Sequence, residues 1–266
     1  MKFLCTLVFS LAIIFNGFSQ GKIDGFYKGK NNGTIVLGLG FEDPKNYFAG
    51  YEKLDLGRSL YYVAIFSAYG ITDNLDVNVS LPYLSSNKQS GFQDISIFFK
   101  HRFFQSVSEK GDLDFSFGVG LSTPISNYNI GGLNDLGQQA TILEARVMAH
   151  YKWKIGWFVT LQSGFSFKFK ETPNSIPLTF KAGKAAGNWY YDVFYDYQHS
   201  LGGIDYRGTP SPQNFKELGV TYQKVGGTLY KSFTENFGTA INLSYSLQGR
   251  NSFQGPSYGL SIVYNL

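Results

Sequence analysis

The sequence of 266 residues has a single cysteine, Cys5, two methionines and only 16% charged residues. Cys5 lies within the first twenty residues, so a chain that has lost them has no thiol. Disulfides, cysteine metal sites and cysteine nucleophiles are then excluded. The charge content is low against the roughly 25% of an average soluble protein. Net charge is a mild +4 and the Lys and Arg residues are scattered, which argues against a nucleic-acid partner. Beyond residue 20 no apolar run approaches the roughly 20 residues of a helical membrane span. VLGLGF, FGVGLS and AGKAAG hold glycines, but none has the spacing of a dinucleotide or P-loop turn that leads into a helix.

The N-terminus, MKFLCTLVFSLAIIFNGFSQ, has Lys2, an apolar run from Phe3 to Phe15 and a small-x-small site at Gly17-Phe18-Ser19. This predicts a secretory signal peptide over residues 1–19, cut near Ser19 or Gln20, with one domain over 20–266. Cys5 comes too early to be a lipoprotein acceptor.

Glycine (31 residues) and aromatics (18%) are plentiful. In WFVTLQSGFSFKFK (157–170), Trp157, Val159, Leu161, Phe165, Phe167 and Phe169 share one parity. Thr160, Gln162, Ser166, Lys168 and Lys170 share the other. A strand puts these sets on opposite faces, and this one is far longer than the roughly five or six residues usual in globular proteins. Segments of the same kind run over 33–41, 59–69, 75–83, 94–104, 113–122 and 140–153, then 178–185, 188–199, 217–233, 237–248 and 257–266. With the opening stretch they number about twelve, an even count as single-chain bacterial barrels require.

Connections alternate in length. GITDN, KIG, AGN and TEN are tight. FEDPKNYFAGYEKLDLGR, TPISNYNIGGLNDLGQ, LGGIDYRGTPSPQN and GRNSFQGP are longer and fall on the other parity, and QSVSEKGD is longer than its class predicts. Short periplasmic turns and longer external loops are the pattern of a membrane barrel. The expected fold is an all-β, antiparallel transmembrane β-barrel of the outer membrane. Trp153, Trp157 and Trp189 then land near the periplasmic interface. Tyr258, Leu260, Ile262, Tyr264 and Leu266 share the lipid face of the last strand, the pattern by which the barrel-assembly machinery would recognise it. The competing fold is a β-sandwich, whose core the tryptophans would cap.

Inward charges are the candidates for a constriction. ATILEARVMAHYKW (140–153) turns Glu144, Arg146, Met148, His150 and Lys152 inward; other strands add Lys100, Arg102, Lys168, Lys170, Lys181, Asp192 and Asp196. Mixed signs in a lumen either form a salt-bridge ladder that fills it or set a field that selects permeants. Glu144, Arg146, Lys168, Asp192 and Asp196 are the candidate lumen or constriction residues. The inward Gly118 and Gly120 of LDFSFGVGLS either make room for a permeant or accommodate a neighbour. The segment 21–32 has no strand pattern, and whether it forms a plug is open.

No catalytic, metal or cofactor site is predicted. His199 and Ser200 fall on opposite faces, His101 faces lipid, and His150 has no inward Ser two residues away on its own strand. None of the three has metal-ligand spacing to another.

The run SAYGITDNLDVNVSLPYLSSNKQSGFQDISIFFKHRFF, with GDLDFSFGVGLSTPIS after it, covers residues 67–126. It resembles the outer-membrane family of meta-pathway phenol-degradation proteins. The shared order is a G-[LI]-T-D turn, an acidic alternating strand ending in LPY, a G-x-x-D-[IL]-[SA] entry, a basic aromatic strand and a Gly-rich strand ending near Pro. The resemblance implies a channel or transporter for small hydrophobic or aromatic solutes and carries over no binding residue. Lipid, the assembly machinery and such a solute are the expected partners. The alternative is a non-conducting structural or adhesive protein whose Tyr-, Phe-, Asn- and Gly-rich loops contact a partner.

Overall fold

The structure, a computed structural model, describes residues 23–130 and 133–266. The expected signal peptide lies outside the described residues. Strands run in the order β1 (Gly33–Glu42), β2 (Asn46–Ala49), β3 (Glu52–Leu54), β4 (Leu60–Thr72), β5 (Leu75–Ser86), β6 (Ser90–Phe92), β7 (Asp94–Val107) and β8 (Gly111–Pro124). They continue with β9 (Ile142–Trp153), β10 (Trp157–Lys168), β11 (Ser175–Ala186), β12 (Trp189–Ser200), β13 (Thr221–Ser232), β14 (Phe237–Arg250) and β15 (Ser252–Asn265). Apart from the short β2, β3 and β6, each pairs antiparallel with the next, and β1 pairs β15 from Thr34 opposite Asn265 to Glu42 opposite Ser257. The result is a closed twelve-stranded barrel. Closure leaves no edge, which lets a sheet cross a lipid core with its backbone groups satisfied.

The alternation in the sequence is an alternation between lipid and lumen. Ile65, Phe117, Val147, Leu161, Phe165 and Val193 are exposed on the outside, whereas Asp76, Lys100, Ser116, Glu144, Arg146 and Gln162 are buried inside. The one hydroxyl in the outer face of the β10 stretch is not left bare, because Ser163 Oγ donates to the Pro177 carbonyl at 2.9 Å.

Turns at 73–74, 108–110, 154–156, 187–188 and 233–236 mark one rim. QSVSEKGD fits its class after all: β7 continues past a bulge at Arg102/Phe104 and β8 begins at Gly111, so the turn is short. At the other rim one expectation fails. The β14–β15 connection is a single residue, Asn251, rather than a longer loop, because the start of β15 gains a new partner and Ser252, Phe253 and Gln254 pair with β2. Pro82 sits where the β5–β7 ladder ends at Ser80 opposite Ser96 and pairing passes to β6, as a residue without an N–H requires.

Both rims carry aromatic belts, as amphipathic rings prefer. Trp157 meets Tyr191 edge-on and Lys231 lies 4.8 Å from the Trp189 ring at the short-turn rim. Phe41 packs on Tyr61, and Tyr83 on Phe92, at the other. Asn251 joins the outer connections. Its Oδ1 accepts from Gly50 N (2.8 Å) and Tyr206 N (2.9 Å), and its Nδ2 donates to the Ile204 and Gly219 carbonyls, both at 3.0 Å.

Val147 lies midway along β9 on the outer face. Val147→Arg there should cost about 2–4 kcal/mol and lower the urea midpoint of barrel refolding, read by the heat-modifiable gel shift, while Val147→Leu stays as wild type. Wild-type refolding of the arginine variant would put this face of β9 away from lipid.

Candidate functional site

The lumen has a short-turn half filled by one segment and an outer half that keeps a cavity. Residues 23–32 enter the barrel ahead of β1 and occupy its short-turn half, and the wall provides for each of them. Gln162 Nε2 donates to the Ile23 carbonyl at 3.0 Å near mid-barrel. Lys100 Nζ donates to the carbonyls of Asp24 (3.1 Å) and Phe26 (2.6 Å) and stands 3.3 Å from both Asp24 Oδ1 and Asp76 Oδ2. Asp76 also accepts from Lys28 N, at 3.2 Å to Oδ2. Tyr27 donates to Ser116 Oγ at 2.8 Å, with Lys100 4.1 Å and Arg102 4.7 Å from its ring centre. Toward the rim Lys30 N donates to Asp73 Oδ1, and Asn31 N and Gly70 N exchange bonds with Gly70 O and Asn32 O at 2.9 Å.

Buried charge in such a place must be paired and fully hydrogen-bonded. Lys100 and Asp76 are each 1% exposed, and the peptide carbonyls that complete the ammonium's shell come from the inserted segment. The segment is thus part of the charge compensation of the wall. The inward glycines serve it as well. A Cβ on Gly118 would stand 2.8 Å from Ile23 Cδ1, and one on Gly120 would overlap the buried Phe98 ring. The two glycines therefore accommodate neighbours; they do not open a passage.

Phe26 inserts between rings. It meets His150 at 4.8 Å (66°), Phe158 at 5.0 Å (82°) and Tyr190 at 6.1 Å (76°), all edge to face. His150 Nδ1 is 2.8 Å from Thr160 Oγ1, its directly opposed neighbour on β10.

Glu144, Arg146, Lys168, Asp192 and Asp196 are all buried on the lumen face. Arg146 and Asp192 each gather partners across the strands. Arg146 Nε donates to Glu144 Oε1 at 2.6 Å and its NH1 to Gln162 Oε1 at 3.0 Å, while Ser166 Oγ donates to Glu144 Oε2 at 2.8 Å. Gln162 carries this ladder on to Ile23. Asp192 belongs to a second group: its Oδ2 accepts from Tyr190 at 2.5 Å and lies 3.5 Å from Lys181 Nζ, and its Oδ1 accepts from Thr228 N. Asp196 stands opposite Lys224 and Lys168 opposite Ile142 in the strand register. Lys170 lies beyond β10 in an exposed turn. Phe158 and Tyr190 are not singled out by the sequence, and Lys100 and Gln162 are read there only as lumen-facing, because the role of all four is set by the segment they hold.

The other half is narrowed but not filled: Tyr128 and Leu136 of the β8–β9 connection pack on the inward Leu60, Tyr62 and Leu84. A cavity of about 300 Å³ lies under the outer connections, lined by Tyr47, Phe215, Leu218, Tyr222 and Phe253 among others. Arg58 and Lys224 supply cationic heads to the same wall. Arg58 lies 4.3 Å from the Phe253 ring centre and donates from NH1 to the Asp135 carbonyl at 2.9 Å.

Residues 47–262 match the family model described as "Putative MetA-pathway of phenol degradation". No curated protein matches the sequence. Among solved structures the chain is similar to an outer membrane channel from Pseudomonas putida F1, with a TM-score of 0.71 and 15% identity over 92% of this chain and 99% of that one. It is also similar to the NanC porin, at a TM-score of 0.55 and 10% identity over 87% of this chain and 100% of that one. The KdgM porin gives a TM-score of 0.53 and 9% identity over 87% and 98%. At such identities the likeness is one of fold, and the fold is that of an outer-membrane barrel.

Removing the Lys100 ammonium strands Asp76 in the wall, a loss of about 3–5 kcal/mol for one half of a buried pair. Lys100→Met should therefore free the segment, and chymotrypsin should cut at Phe26 and Tyr27 in the folded variant but not in wild type. Lys100→Met combined with Asp76→Asn should recover barrel stability without restoring protection. Equal protection of wild type and Lys100→Met would remove Lys100 as the anchor.

Proposed function

The chain belongs to the family whose model it matches, and from that premise we propose that it is an outer-membrane channel for small, hydrophobic or aromatic solutes, closed at its periplasmic end by residues 23–32. The observation that carries this reading is a lumen whose short-turn half is blocked by one short segment while a cavity remains under the outer connections. The outer cavity, at about 300 Å³, exceeds the roughly 150 Å³ that is enough to hold benzene in an apolar protein cavity. Its Tyr and Phe walls suit a ring, and its cationic heads suit a polar substituent. The similar structure from Pseudomonas putida F1, an outer membrane channel, points the same way.

Closure by this segment is reversible in our reading, because beyond the backbone bonds of Asn31 and Asn32 with Gly70 it is held by isolated hydrogen bonds, one ammonium and ring contacts. Cleavage near Ser19 or Gln20 would give the segment a free end and let it withdraw toward the periplasm. Once it has left, the narrow part of the path lies at the Glu144–Arg146 pair, with Lys168, Asp192 and Asp196 on the adjoining wall. We assign no catalytic role to the lumen. In support, His150 spends Nδ1 on Thr160 and lies against Phe26 and Phe158. The adhesive alternative has less behind it: Asn251 ties the outer connections together, and parts of them line the cavity.

In planar bilayers the mature chain should be silent or open briefly, and deletion of residues 23–32 should give long-lived conductance steps. A folded, inserted deletion variant that stays silent would refute the channel. In the deletion background Arg146→Glu should move the reversal potential in a salt gradient toward cation selectivity. An unmoved potential would take Arg146 out of the narrow part.

A further inference from the structure

We propose that the seat now filled by Phe26 is itself a binding site for a neutral single-ring aromatic solute, and that Phe26 is the chain's own stand-in for that solute. The inference rests on the channel reading above and adds where the solute is held and what displaces the plug.

The seat is built from π systems. Phe158 and Tyr190 stack on each other at 5.5 Å and 20°, forming one continuous wall, and His150 stands tilted to Phe158 at 5.7 Å. All three meet Phe26 edge to face, the arrangement that sets a positive ring edge against a negative ring face. Lys152 Nζ lies 5.8 Å from the Phe26 ring centre, at the outer limit of a cation–π contact. A seat lined this way distinguishes an aromatic ring from a saturated ring of equal size, because only the former has a quadrupole to match.

Two polar atoms of the wall are already committed. The Tyr190 hydroxyl donates to Asp192 and His150 Nδ1 pairs with Thr160, so the seat does not require a polar group from its occupant. With Phe26 in place Phe158 is 1% exposed and His150 3% exposed, so the occupied seat is closed to water. Gly25 completes the fit, since a Cβ there would fall within the His150 ring. The backbone of the segment can therefore lie against His150 while the next residue turns its ring into the seat.

Position gives the seat its role. Phe158 begins β10 beside the turn at 154–156, and Tyr190 begins β12 beside the turn at 187–188. The seat is thus at the periplasmic end of the path, and a ring descending the lumen reaches it last. A solute that takes the place of Phe26 keeps the ring–wall contacts and releases the segment at its aromatic hold, which couples arrival of cargo to opening.

The test uses the full mature chain in lipid nanodiscs, with 4-fluorophenol as probe, 4-fluorocyclohexanol as the saturated control, and fluorine NMR as the readout. Phe26→Ala should bind 4-fluorophenol saturably, displaceably by excess phenol, at least tenfold tighter than wild type and tenfold tighter than the saturated control. Phe158→Leu in the same background should abolish the preference for the aromatic probe. A folded Phe26→Ala chain that binds neither probe, or both equally, would sink the proposal. Should Phe26→Ala not fold, wild type decides it: phenol on the periplasmic side should raise the open probability, whereas cyclohexanol should not, and equal effects count against the seat. Failure here with a conducting 23–32 deletion defeats the seat alone. A silent, folded deletion variant defeats the channel reading itself.

Discussion

Lys100 Nζ is a charge enclosed by the barrel wall, and its requirements run through the rest of the interior. Asp76 on the neighbouring strand answers the charge, but an ammonium has three protons to place. The remaining partners come from Asp24 and Phe26 of the entering segment. The segment therefore descends along the β5–β7–β8 side, where Tyr27 finds Ser116 and two cations. From there the rest of its course follows: Ile23 reaches Gln162, and Phe26 falls into the rings of β9, β10 and β12.

Inside and outside carry opposite chemistry in this barrel, and the two are linked by the strand pleat. Leu161 and Phe165 face lipid because Gln162 and Ser166, one residue away, must face the lumen. The polar ladder that results is continuous with the plug through Gln162, and a second group, Lys181–Asp192, reaches it through Tyr190. Removing the plug consequently alters the hydrogen bonding of wall residues that belong to neither the segment nor its anchor.

Much of this was legible in the sequence, for a physical reason. Strand parity is local, so the lipid face of Val147 and the lumen face of Arg146 follow from neighbours in the chain, as do the tryptophans beside the turns. Register is not local. Sequence parity places Glu144, Arg146, Lys168, Asp192 and Asp196 inside, but the partners of Arg146 and Asp192 depend on which residues stand opposite across strands. His150 shows the same limit: its partner Thr160 is on β10, not on its own strand. The plug was the least legible part. IDGFYKGKNN has no periodicity, and its partners in the wall lie as far as 139 residues away along the chain. The β14–β15 connection was misjudged because an added partner strand, β2, lengthens a ladder that the local sequence appears to end.

Asn251 has a consequence for the outer surface as something that other molecules meet. Its single amide bonds Gly50 and Tyr206 and accepts no substitute geometry for Ile204 and Gly219, so three connections distant in sequence share one fixed relief. An antibody or phage that grips this face reads a composite shape, and a peptide copied from any one loop would not reproduce it.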